Sequence, residues 1–325
     1  MKLIYKLAAV TLAWLILSNA VYAAQVPGPL VSTDWLVKNK DKVVILDVRK
    51  DTESFTAKAK ETADTQGSTA KKSSSIDVTG HIPGANLVSW KKVRVNRSVD
   101  GVDLIKLVPT KEEMESLMRD HGVNSDSAVV ISMKGSESKS LTFATRLYWQ
   151  MKYWGHDNVA ILDGGTAAWV AAGNETNHDT SSPDKGNWTA KEALTEILAT
   201  TADVEKAVAD GTQLIDARTE DFYRGSSQKK YVFAAGHIPG AKGFSNKLIV
   251  HGGKAKTFLP ADKVASLMKA RGIDPAVSTI VYCDSGHYST GLWFLMHEIM
   301  GNKQVTQYDG SMHEWTKLKK PTEAP

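Results

Sequence analysis

A single cysteine, Cys283, is all that the 325 residues contain. An internal disulfide is therefore excluded, and so is a metal centre built on a cysteine–histidine cluster. Beyond Leu7–Leu17 no apolar run approaches the ~20 residues that span a bilayer. The remainder is expected to be soluble, with no stable membrane association. Long basic tracts and aromatic–basic alternation are also missing, which argues against nucleic acid as a partner. The formal charge of +4 is spread evenly and falls to about +2 if Lys2 and Lys6 are removed with a leader.

What the N-terminus does contain reads as a secretory signal over residues 1–23. Lys2 and Lys6 give the positive region and Leu7–Leu17 the apolar one. Val21-Tyr22-Ala23 offers small residues for cleavage near Ala23. The expected location is periplasmic or secreted; an uncleaved anchor helix is the alternative. No cysteine follows the leader to carry a lipid. A lone thiol in an oxidising compartment is a liability unless the sulfur is used.

Cys283 lies in Ile280-Val-Tyr-Cys-Asp-Ser-Gly-His-Tyr-Ser289. An apolar strand ends at the thiol, a polar loop follows, and a helix is expected from Ser289 or Thr290 to Gly301. Backbone N–H groups at such a loop and helix start favour an anion, and the thiolate is the nucleophilic form of cysteine. A buried cysteine acting as a small hydrophobe is the bland reading, and the polar loop argues against it.

The chain also repeats itself. Gly80-His-Ile-Pro-Gly-Ala85 recurs as Gly236-His-Ile-Pro-Gly-Ala241. Each copy follows an apolar strand ending in acid–X–Arg, Asp47-Val-Arg49 and Asp216-Ala-Arg218. Each precedes a second apolar strand, then an aspartate–glycine turn (Asp163-Gly164, Asp309-Gly310) and a tryptophan (Trp169, Trp315). Four ordered matches indicate a duplicated domain. Near-continuous apolar strands alternating with amphipathic segments predict α/β domains, each a mostly parallel sheet flanked by helices. The expected bounds are 27–173 and 188–320, with a polar linker at 174–187 and a Lys/Ala/Ser/Thr-rich insertion at about 56–77.

These motifs resemble the rhodanese (sulfurtransferase) family in its tandem form. The resemblance rests on the acid–X–Arg strand ends, the repeated Gly-His-Ile-Pro-Gly-Ala, the Cys283-X-X-Gly286 loop and Tyr308-Asp-Gly-Ser311 with Trp315. It implies a catalytic C-terminal domain and an N-terminal one that has lost its cysteine; aligning Gly135 with Gly286 puts Ser132 opposite Cys283. It further implies that Cys283 takes sulfane sulfur from thiosulfate, 3-mercaptopyruvate or a persulfide and holds it as a persulfide. A thiophilic acceptor such as cyanide, a small thiol or a protein thiol then receives it. No metal and no organic cofactor is required. The loop residues Asp284, Ser285, Gly286, His287 and Tyr288 would cradle the sulfur with backbone N–H groups.

Departures from the family pattern bear on the donor. The loop carries no permanent cation, and Asp284 opposes thiolate formation and anionic donors unless it points into solvent. Phe222 stands where thiosulfate-using relatives have arginine, which makes Arg224 the substrate-binding candidate against a solvated surface arginine. Arg218 either binds substrate or, with Asp216, forms a structural ion pair. His287 is either a titratable charge near the sulfur or a solvent-facing residue. His81 and His237 read as turn or core residues, with a minor functional chance for His81 across the domain interface. Trp169, Trp293 and Trp315 read as core.

Two rivals are weighed. A phosphatase of this fold would need Cys-X5-Arg, but Ser289 occupies the sixth position after Cys283. A sulfur- or selenium-relay protein, with little turnover on small molecules, is the alternative of a different class.

Overall fold

The computed structural model describes residues 24–58, 78–180 and 182–324. The leader at 1–23, most of the 56–77 insertion and Ser181 of the linker lie outside them. Among the described residues the chain builds two α/β units, each on a five-stranded, wholly parallel sheet.

The first unit contains β1 (Leu30–Val31), β2 (Val44–Arg49), β3 (Ala85–Ser89), an antiparallel hairpin of β4 (Val95–Val99) and β5 (Val102–Leu107), β6 (Val129–Met133) and β7 (Val159–Leu162). Its sheet runs β1-β7-β6-β2-β3. Helices α1 (Thr33–Asn39), α2 (Lys111–Asp120), α3 (Ser138–Tyr153) and α4 (Gly165–Ala171) accompany it. The second unit has β8 (Leu198–Ala199), β9 (Gln213–Asp216), β10 (Lys242–Gly243), the short pair β11 (Val250–His251) and β12 (Thr257–Phe258), β13 (Thr279–Tyr282) and β14 (Val305–Tyr308). Its sheet runs β10-β9-β13-β14-β8, with α5 (Thr201–Asp210), α6 (Glu220–Tyr223), α7 (Ala261–Lys269), α8 (Ser289–Trp293) and α9 (Ser311–Lys317). Strands β6 and β13 are buried at every position, as a sheet covered on both faces requires.

The repeated motifs form one structural device, built twice. Arg49 grips Asp47 through Nε and Nη2 at 2.8 and 2.7 Å, and Nη2 also donates to the Gly80 carbonyl at 2.9 Å. Arg218 grips Asp216 likewise and reaches the Gly236 carbonyl at 2.7 Å. All four side chains are buried, so each charge survives only by its partner. His81 stacks on Phe55 at 3.7 Å and His237 on Tyr223 at 3.9 Å. Each ring Nδ1 meets the carbonyl of the residue it stacks on. The acid–X–Arg strand end is thereby pinned to the Gly-His-Ile-Pro-Gly turn, and both histidines are structural. The Nε2 of His81 faces Asp179 at 3.2 Å, not the loop that follows β13.

Two expectations are corrected here. Across the sheets Asp47 faces Ser132, whereas its equivalent Asp216 faces Tyr282. Ala167 N–H binds the Lys134 carbonyl just as His313 N–H binds that of Asp284. Met133, not Ser132, is therefore the counterpart of Cys283. Matching glycines misleads because the first loop is one residue shorter, running from Met133 to α3 at Ser138 as against Cys283 to α8 at Ser289. Nor do Ser289 and Thr290 cap α8. Tyr288 precedes the helix, no side chain caps it, and it continues as a π-helical stretch over Phe294–Ile299. The Ser289 hydroxyl is engaged at the sulfur instead.

The units share one buried apolar cluster, reaching from Leu46 and Val88 through α3 to Val281 and Trp293. Across it Thr145 meets Thr290 at 2.9 Å, and the Tyr148 hydroxyl donates to Glu298 at 2.5 Å. Helix α3 is thus common to both cores, and its polar residues arrive at the loop that follows β13.

Candidate active site

Strand β13 releases the chain at Tyr282 and places Cys283, buried with 1% exposure, at the head of the loop. Its Sγ accepts the backbone N–H of His287 at 3.2 Å and faces Ser289 Oγ at 3.4 Å. Gln307 Nε2 donates to that Oγ at 2.8 Å, leaving the hydroxyl proton free to point at sulfur. Two donors aimed at one sulfur form a cradle for a sulfur anion, whether thiolate or persulfide.

Ser311 supports the loop from beneath. Its Oγ accepts the N–H groups of Cys283 and Gly286, both at 3.1 Å, and donates to the Tyr308 carbonyl at 2.8 Å. Ser311 has φ +53°, and its counterpart Gly165 has φ +56°. A side chain in this left-handed region costs about 1–2 kcal/mol, which the hydroxyl's three hydrogen bonds offset. Gly286 (φ +63°) has no such latitude. A Cβ there would lie 2.3 Å from Asp309 Oδ1 and 2.7 Å from Arg146 Nη1.

Arg146 is the clamp. It comes from α3 of the first unit, is fully buried, donates to the Gly286 carbonyl at 2.6 Å and pairs with the Asp309 carboxylate. The other oxygen of Asp309 accepts the N–H of Val108 at 2.7 Å. Two residues of the first unit therefore hold the loop and the turn after β14 in register.

The predicted loop residues fall into different roles. His287 is neither of the two things expected of it. Thr142 Oγ1 is 2.9 Å from its Nε2, and its ring lies 4.5 Å from Trp90 and stacks on Phe143 at 5.1 Å. Burial, then Arg94, Arg146, Lys106 and Lys139, hold its pKa well below the ordinary histidine value. Although the residue keeps some exposed surface, the imidazole is neutral near pH 7. It is the backbone N–H that meets the sulfur. Asp284 does not point into solvent. It is buried, with Oδ1 3.6 Å from Arg218 Nη1; burial pushes its carboxyl up, while Arg218 pulls it down. Ser285 is buried against the Tyr231 hydroxyl. Tyr288, half-buried, stacks on His287 at 4.7 Å.

A cleft of about 360 Å³ opens onto the loop, lined by Lys139, Arg218, Phe222, Lys229, Asp284 and Tyr288 among others. Arg218 thus borders the cleft while locked to Asp216. Arg224 is not brought to it. Its side chain is 62% exposed and tied to Glu220 at 2.5 Å.

Sequence reasoning missed Ser311, Arg146 and two cations of the β4–β5 region. Arg94 lies over the Trp90 ring at 4.2 Å and Lys106 over the Tyr231 ring at 3.4 Å. Ser311 was discoverable from the repeat, since it stands where the first copy has Gly165. Arg146 is one of three cations of α3, with Lys139 and Lys152, and no local pattern marks it as the one that reaches the second unit.

The model of the Rhodanese-like domain matches residues 32–172 and again 200–318. A "Putative thiosulfate sulfurtransferase" of Haloferax volcanii is 32% identical, over 93% of this chain and 97% of its own length. The sulfur carrier protein TtuD of Thermus thermophilus is 28% identical, over 90% and 95%. Among solved structures, the 3-mercaptopyruvate sulfotransferase SseA of Escherichia coli superposes with a TM-score of 0.68 at 24% identity, covering 87% of this chain and 98% of SseA. That likeness shows the fold.

The enclosure of His287 has a pH consequence. Below the ordinary value of 6.5 an unfolded chain protonates this histidine while the folded one resists. The unfolded state then binds more protons, so stability falls as pH drops through 6.5. His156 and His313, also depressed chiefly by burial, add to the slope. Denaturant unfolding between pH 7.5 and 5.5 should show His287→Asn losing part of the wild-type acid sensitivity; an unchanged slope would contradict the enclosure.

Proposed function

The chain belongs to the rhodanese-like family, with two copies of the domain, and from that premise we propose that it is a sulfurtransferase whose sulfur carrier is Cys283. The observation that carries this reading is the cradle at Cys283 Sγ, built from the His287 N–H and the Ser289 hydroxyl. With thiosulfate, the thiolate attacks the outer sulfur, the S–S bond breaks, and its electron pair leaves with sulfite. Cys283 then bears a persulfide anion in the same cradle. In the second step cyanide or a thiolate attacks the terminal sulfur, and Cys283 departs as thiolate, ready for another turn. Charge stays on sulfur throughout, so fixed donors serve both steps and no proton-transfer base is needed.

Organic persulfides fit the same S–S scheme as donors; with 3-mercaptopyruvate the C–S bond breaks instead, its electron pair leaves on pyruvate enolate, and the enolate carbon takes up the proton released by the donor thiol. A neutral His287 adds no cation to the loop, and the buried Asp284 carboxyl is offset only in part by Arg218 Nη1 at 3.6 Å, so an anionic donor needs positive charge from outside the loop. A relay role, with Cys283 passing sulfur to a protein thiol, uses the same first step and is supported by the likeness to TtuD. We further propose that the protein is outside the cytoplasm with its leader removed, on the pattern of residues 1–23; N-terminal sequencing of the mature protein should begin just after Ala23, and a retained Met1 would contradict removal of the leader.

Sulfur transfer to cyanide from thiosulfate and from 3-mercaptopyruvate should be lost on Cys283→Ala. Intact mass after donor treatment should show one added sulfur on the wild type only. Loading without turnover on any small acceptor would identify the relay. Equal transfer by wild type and variant would refute the proposal.

A further inference from the structure

Arg94 and Lys106 present an energetic problem that the fold alone does not resolve. Both lie on the first unit, flanking or within the β4–β5 hairpin, and both face the catalytic loop. Arg94 stacks on Trp90, whose ring is 4.5 Å from that of His287; Lys106 sits on Tyr231, which meets Ser285. Among the described residues neither cation has a carboxylate partner. The Arg94 Nε is buried and has no acceptor. Burial, together with neighbouring positive charge, lowers Arg94 to about 10 and Lys106 to about 8. Two partly buried, unpaired cations beside one another cost free energy that an apolar pair would not.

Lys106 is also held in an unusual backbone. It has φ +63°, and the hairpin register shifts here: Val95 faces Leu107 and Arg97 faces Leu104, so Ile105 and Lys106 together oppose Asn96. The Lys106 N–H is caught by Asn96 Oδ1 at 3.0 Å. A bulge of this kind re-aims a side chain, and left-handed backbone at a non-glycine residue persists only where its surroundings enforce it. The bulge places this ammonium on the Tyr231 ring at the edge of the loop.

We propose that Arg94 and Lys106 form an anion-docking pair for the sulfur donor, so that the cationic site absent from the Cys283 loop is supplied by the first domain. The ligand class is a sulfane-sulfur donor bearing an oxyanion end, such as a sulfonate or carboxylate. With thiosulfate the pair holds the sulfonate oxygens while the outer sulfur meets the Cys283 thiolate; the S–S bond breaks and its electron pair departs on the sulfite that the pair already binds. This rests on the reading of Cys283 as sulfur acceptor.

Alkylation separates the two ideas, because it needs no sulfur transfer. The same thiolate attacks the iodo-bearing carbon of iodoacetate and of iodoacetamide and displaces iodide from each, and the two reagents differ in one negative charge. In the Arg94→Gln, Lys106→Met double variant, the rate of Cys283 modification by iodoacetate should fall about tenfold more than that by iodoacetamide, as the loss of charge-assisted contacts requires. The KM for thiosulfate should rise about tenfold with kcat little changed. Arg94→Lys, which keeps the charge, should restore most of the iodoacetate rate. An equal fall with both reagents would show that the cations serve only the thiolate, and no fall with either would show that they do not face the sulfur; each overturns the docking pair. If the reagent difference held while no donor loaded sulfur, the docking pair would stand and the sulfurtransferase reading would fall.

Discussion

The site depends on one contact across the domain boundary: the buried Arg146 guanidinium on the Gly286 carbonyl and the Asp309 carboxylate. A carbonyl turned toward a cation fixes the peptide planes around Gly286, and the next N–H, that of His287, is then aimed at Cys283 Sγ. Thr142 and Thr145, from the same face of α3, hold the His287 ring and Thr290. A cradle of one backbone N–H and one hydroxyl stabilises an anion best when it does not have to reorganise. Here the rigidity is supplied from outside the unit that carries Cys283. Breaking such a pair leaves a buried charge alone, which typically costs about 3–5 kcal/mol, so the clamp also binds the two units together.

This accounts for a first domain that has no thiol. Its own loop has Met133 in the place of Cys283 and Gly165 in the place of Ser311, so it lacks both the thiol and the hydroxyl that gathers the loop's N–H groups. It retains the acid–X–Arg pin and the stacked histidine, because these hold the sheet to its turn in either copy. What it adds to the second copy is a wall: α3 against the loop, Val108 on Asp309, and the cations of the β4–β5 region on the Trp90 and Tyr231 rings.

The parts of this that local pattern encodes were legible in the sequence. Parallel α/β architecture followed from uninterrupted apolar strands, and the tandem repeat from four ordered motifs. Cys283 at a strand-to-helix turn followed from the apolar run and polar loop around it. What failed was information carried by distance. The equivalence of Ser132 and Cys283 rested on matching glycines across loops of unequal length, and only the sheet register exposes the slip. His287 was judged by its loop, yet Trp90, Phe143 and Thr142, remote in sequence, set its environment. Asp284 was judged by its charge, while its partner Arg218 is already held by Asp216. The absence of a cation within the loop was correctly read, but cations arriving from residues 94 and 106 carry no local signature. Arg224, chosen for its proximity in sequence to Phe222, turned out to belong to a surface pair with Glu220.

The central claim is that Cys283 accepts sulfur in a cradle held in place by the first domain, and the rate of sulfur loading tests it most directly. Intact-mass spectrometry can follow single-turnover addition of one sulfur from thiosulfate to wild type and to Arg146→Gln, with circular dichroism establishing that the variant is folded. The account predicts prompt loading of the wild type on Cys283 and loading at least about tenfold slower in the folded variant, the order expected when one preorganising contact is lost. Loading of both proteins at the same rate would contradict it.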